Sequence, residues 1–136
     1  MPFKDCDEVM AGTTFFALEN DGDTATVIFV GEPIPREEEF HGKPRHRAYF
    51  PIVTKDGLRA WGLGGKLYRR LRDAWDDYLN RCHLITRMGA KGSTETTYGF
   101  KKATPTALLK KYIADTSAKD IKEFLAEVQA FGEESA

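Results

Sequence analysis

Arg45, Arg47 and Tyr49 alternate along one strand-like run, and Arg59 and Trp61 alternate along the next. A third set, Arg87, Lys91, Tyr98 and Lys101, falls in "ITRMGAKGSTETTYGFK", where two strand-like runs flank a loop holding Gly89 and Gly92. These residue types need no reaction to be useful. Guanidinium and ammonium groups neutralise phosphates, and aromatic faces stack on bases. Successive strand side chains point to opposite faces, so each alternating set shares one face. The two glycines permit a turn and a close approach of backbone to a ligand. The hairpin is therefore expected to form one wall of a groove, facing a proline-rich loop at 31–46. Lys66 stands behind this set with Arg45 and Lys101, in "GLGGK" at the passage from a strand into a helix. That stretch lacks the length and the Lys-Ser/Thr ending of a nucleotide-binding P-loop. For Tyr49 and Trp61 the core is the competing use.

Catalytic and metal chemistry have no comparable signal. His41 and His46, or the adjacent Cys82 and His83, lack the convergent four-ligand spacing of zinc. Asp76 and Asp77 are neighbours on a predicted helix, so they diverge by about 100° and make a poor acid and base pair. Glu37 to Glu39 read as a solvated loop, and no serine or cysteine stands near a marked base. The expectation is a binding protein, not an enzyme, with no cofactor and no metal. Two cysteines are too few for a disulfide framework, and no run of the roughly 20 apolar residues of a membrane span occurs. The N-terminus lacks a basic-then-apolar leader pattern, so a cytoplasmic protein is expected.

A formal net charge of -1 conceals a strong asymmetry. Residues 1–40 set two bases against ten acids, a net -8, while residues 41–111 set sixteen against five, a net +11. Residues 112–136 return to -4, with two lysines against six acids. A basic middle between acidic ends can focus positive potential on one surface although the whole molecule is near neutral. With 41% hydrophobic and 30% charged residues in 136, the chain has ordinary globular usage and the length of one domain.

Positioning these residues falls to a short series of elements. "TTFFALE" and "TATVIFVG" about "NDGD" read as a first hairpin, and "RAYFPIVTKDGLRAWGLG" as a second about "KDG". In the second, His46, Ala48, Phe50 and Ile52 look like the core face, and Pro51, which cannot donate to a ladder, implies an edge or a bulge. "GGKLYRRLRDAWDDYLN" changes to helical spacing, with Trp75 on its core side. The hairpin of Arg87 and Tyr98 follows. Thr104 with Pro105, and then Ser117, are expected to open two C-terminal helices over 104–131, ahead of a short acidic tail at 132–136. The stripe Ile121, Phe124, Leu125 and Val128 is expected to pack on the chain's own core, self-association being its other use. This order predicts a mainly β fold: a five- to six-stranded Greek-key barrel of the OB type, with a helix between strands three and four and C-terminal helices.

"ALENDGDTATVIFVGEP", "KDGLRAWGLGGKLYRRL" and "LITRMGAKGSTETTY" together resemble the OB-fold single-stranded DNA-binding proteins of tailed phages, over about residues 14–102. Ile85, Thr86, Arg87 and Gly89 follow that family's "I-T-R-x-G-x-G" element, Lys91 and Gly92 are displaced by one residue, and Thr96 or Thr97 precedes Tyr98. The resemblance implies sequence-non-specific binding of single-stranded DNA in phage replication or recombination, with replication or recombination proteins as partners. Two departures bear on this. The cysteine and histidine zinc cluster of some members is absent, and Glu133 and Glu134 alone stand where many carry a long acidic tail. The rival expectation is a protein-interaction or scaffold module on the same fold.

Overall fold

A computed structural model describes residues 14–40, 42–90 and 96–130. The strands are β1 (Thr24–Phe29), β2 (Ile34–Phe40), β3 (Lys43–Thr54), β4 (Gly57–Leu63), β5 (Cys82–Met88) and β6 (Thr97–Lys102). Helix α1 (Gly65–Asp73) and a 3-10 turn (Trp75–Asp77) separate β4 from β5, and α2 (Ala107–Asp115) and α3 (Ala118–Ala130) follow β6.

The six strands make one antiparallel sheet in the order β2-β3-β1-β5-β6, with β4 also paired to β3. It is not closed: among the described residues β4 and β6 share no ladder. Aromatic side chains span that seam instead, Trp61 of β4 meeting Tyr98 at 5.1 Å and Phe100 at 6.2 Å on β6.

β3 organises the sheet, because it pairs with β4 on one side and with β2 and then β1 on the other. The changeover is at Pro51. Pairing with β2 ends at Tyr49, pairing with β1 begins at Ile52, and between them the Pro51 carbonyl accepts the Val30 amide at 3.1 Å. The missing N–H of a proline thus falls where β3 changes partner, so a buried proline is tolerated in a central strand. The following turn is tied by Thr54, whose hydroxyl accepts the Asp56 amide and donates to the Gly57 carbonyl, and Gly57 takes the left-handed φ of 101°.

Both faces of the sheet are covered. On the inner face Phe29, Phe50, Ile52, Trp61, Leu63 and Ile85 pack with Leu71 of α1 and with Tyr78. On the outer face Leu109 of α2 packs on Ile28, Val53 and Cys82, and Val128 of α3 on Tyr49 and Ala60. The C-terminal stripe therefore packs on the chain's own sheet, as its spacing predicts.

Several sequence expectations are corrected. The loop expected at 31–46 holds β2 and the start of β3. Proline and charge hide the apolar alternation of a strand there, yet the two strands pair from Ile34 opposite Tyr49 to Phe40 opposite Lys43. "TTFFALE" is not a strand over its described residues; Phe15 makes an isolated bridge to Ala60, and the Phe16 amide donates to the Ala60 carbonyl. The predicted first helix stops at Asp73. In α2 the N-cap is Thr106, whose hydroxyl accepts the Leu109 amide at 3.2 Å, so Thr104 and Pro105 precede the helix. Ser117 opens α3 as expected: its hydroxyl accepts the Asp120 amide, and the Asp120 carboxylate accepts the Ser117 amide. Those bonds hold Asp120 below the usual carboxylate range.

Candidate nucleic-acid interface

α1 starts two residues after β4 ends, and Gly64 and Gly65 make that turn, Gly65 at a φ of 56°. Lys66 and Arg70, one helical turn apart, share one flank of the helix. Across from them β5 and β6 put Arg87 directly opposite Tyr98, a register that sets both on the same face. Arg47 comes from β3, its Cγ beside Gly64. Arg47, Lys66, Arg70, Arg87 and Tyr98 line one open groove of about 800 Å³, with Leu63, Thr96 and Thr97. No carboxylate is among the described residues of its lining.

Arg87 is the most constrained of these cations. Its Nε donates to the Gly89 carbonyl at 3.0 Å, and its Nη1 to the Leu18 carbonyl at 2.8 Å and the Tyr98 hydroxyl at 3.5 Å. Nη2 donates to the Ala90 carbonyl and the Thr96 hydroxyl. A guanidinium has five N–H donors, and these contacts occupy all five. The side chain braces the root of the hairpin, brings its charge to the groove wall, and holds no proton ready for a phosphate. Gly89 completes the brace. Its φ is 129°, a Cβ there would stand 2.9 Å from the Thr96 Cα, and its amide donates to the Asp21 carboxylate.

Tyr98 is held at the groove by its T-shaped contact with Trp61, and Arg70 sits 5.3 Å over the Phe100 ring. The wall therefore combines cations with one aromatic face seated on the core.

Of the residues named from sequence, Arg47, Lys66, Arg87 and Tyr98 converge in this groove. Trp61, 2% exposed, and Tyr49, 5% exposed, are corrected to core residues that no base can reach. Alternation assigns residues to a face but carries no sign of which face is covered, and Trp61 packs with Leu63 on the inner one. Tyr49 lies on the opposite face, under Phe15 and α3. Arg59 lines a separate hollow with Lys55 and Phe16, and its Nη1 donates to the Leu58 carbonyl. Lys101 is exposed on β6 and does not line the groove. Lys91 and the side chain of Arg45 lie outside the described residues. Arg70 escaped the sequence reading, although its spacing from Lys66 on the polar flank of a predicted helix was the available signal.

Cys82 and His83 begin β5, away from the groove lining. Burial raises the Cys82 thiol, and burial also lowers His83, opposed by its bond to the Arg81 carbonyl. Among the described residues no three His, Cys, Asp or Glu side chains cluster to hold a metal, and no helix is long and apolar enough to cross a membrane. Compared with protein-family models, curated proteins and solved structures, the chain matches none of them.

Proposed function

We propose that the protein binds single-stranded DNA without sequence preference in the groove between α1 and the β5–β6 hairpin. The observation that carries this is the convergence of Arg47, Lys66, Arg70 and Arg87 around the Tyr98 ring, with no described carboxylate in the lining. Such a wall suits a polyanion whose bases are unpaired: cations track phosphates, and a ring stacks on any base because every base has a π-face. The connectivity supports the same reading. With β2 set aside as an added hairpin arm, β1, β3, β4, α1, β5 and β6 follow the strand-strand-strand-helix-strand-strand order of an OB fold, its last seam bridged by aromatic contacts. Coating single strands exposed in phage replication or recombination is the use such binding serves.

The test is a fluorescence-anisotropy titration of labelled oligo-dT, duplex DNA and oligo-U at several salt concentrations. Oligo-dT is expected to bind more tightly than duplex, and affinity to fall as salt rises. If three groove cations meet phosphates, the log-log slope is about -2, and Arg70→Ala lowers its magnitude by about 0.7. Absence of binding at low salt, or a slope that Arg70→Ala leaves unchanged, would overturn the assignment.

A further inference from the structure

The groove does not end at Arg47. A second hollow of about 320 Å³ shares Arg47, Leu63 and Gly64 with it and lies on the other side of the start of α1, where Pro33, His46 and Tyr68 continue the wall. A third, of about 330 Å³, shares Pro33 and Tyr68 with the second and adds Glu32, Arg72 and Trp75. The hollows thus form a chain bent around α1, with Lys66 and Arg70 on one flank and Tyr68 and Arg72 on the other.

Tyr68 is the hinge of this path. One helical turn separates it from Arg72, whose guanidinium carbon lies 5.8 Å over the ring, and the ring itself leans on Phe50 at 6.4 Å. It is half-buried, so its body is fixed by the core while it lines two open hollows. Beyond it the Glu32 carboxylate would repel a phosphate.

Resting on the single-strand reading above, we infer that a longer strand turns past Gly64 into the second hollow, that Arg47 meets the phosphate at the bend, and that Tyr68 stacks the base beyond it. Glu32 ends the track. The protein then has two stacking positions, Tyr98 and Tyr68, on opposite flanks of one helix, and engages long strands more tightly than strands that fill only the first groove.

An iodouracil-substituted oligo-dT series of increasing length, photocrosslinked to the unmodified protein and mapped by peptide mass spectrometry, tests this without any mutation. Short strands are expected to crosslink at Tyr98 alone, and longer ones at Tyr98 and Tyr68. In parallel, Tyr68→Leu should weaken long strands about tenfold and leave the shortest binding strand unchanged. Crosslinks at Tyr98 alone at every length would overturn the extended path and leave the groove assignment standing. Absence of both crosslinks and single-strand binding would overturn both.

Discussion

Tyr98 and Trp61 touch at 5.1 Å, yet the structure gives them opposite tasks. Tyr98 lines the groove, whereas Trp61 is enclosed by Phe16, Phe29, Tyr98 and Phe100. Replacing Tyr98 by Ala should therefore cost about 1 to 3 kcal/mol of single-strand affinity, the worth of one stacked base. Trp61→Ala should instead cost about 3 to 5 kcal/mol of folding stability, through lost contacts and a cavity. Thermal melts beside the anisotropy titration separate the two, and Trp61→Phe, which keeps most of the volume, supplies a folded control. Were Trp61→Phe to lose as much affinity as Tyr98→Ala, the division of roles would be wrong. At this scale the sequence could supply residue types and shared faces. It could not say that Phe16, Phe29, Tyr98 and Phe100 close around Trp61 or that α3 covers Tyr49, because those facts depend on segments distant in the chain.

The β5–β6 hairpin was legible because both of its strands carry their own apolar and β-branched pattern, and Arg87 opposite Tyr98 follows from that register. The β2–β3 hairpin was hidden by proline and charge, because residues 33–44 lack the apolar alternation that marks a strand although they pair from Ile34 opposite Tyr49 to Phe40 opposite Lys43. Arg87 shows what pattern alone withholds, since its five donors are spent on Leu18, Gly89, Ala90, Thr96 and Tyr98. A brace and a phosphate ligand behave differently when removed. Arg87→Ala should destabilise the fold by roughly 2 to 3 kcal/mol, as neutral acceptors lose a charged donor, and should leave the salt slope of binding nearly unchanged. Arg87→Lys keeps the charge but cannot reproduce the fork, so it too should lower the melting temperature. An Arg87→Ala variant that melts like the unmodified protein but loses salt dependence would return Arg87 to the phosphate contacts.

The molecule as a whole is a sheet dressed on both sides, and the two dressings come from different parts of the chain. α1 and the residues up to Tyr78 fill the inner face, and α2 and α3 fill the outer one. Sequence spacing anticipated that the stripe of the C-terminal helices would pack on the chain's own core. With Leu109 2% exposed against Ile28, Val53 and Cys82, and Val128 fully buried on Tyr49 and Ala60, the helices share the sheet's own core. This arrangement can be read optically, because the chain's two tryptophans, Trp61 and Trp75, both pack in the inner layer while Leu109 lies in the outer one. Leu109→Ala should destabilise the fold by about 2 to 5 kcal/mol, the range for a buried leucine truncated in a packed core. If both layers unfold as one unit, urea unfolding followed by tryptophan fluorescence will shift by that full amount, with an unchanged denaturant dependence. Should the C-terminal helices melt by themselves, circular dichroism would show an early transition that the tryptophans do not follow. In that case the groove would keep its shape without them, and binding would survive removal of the outer layer.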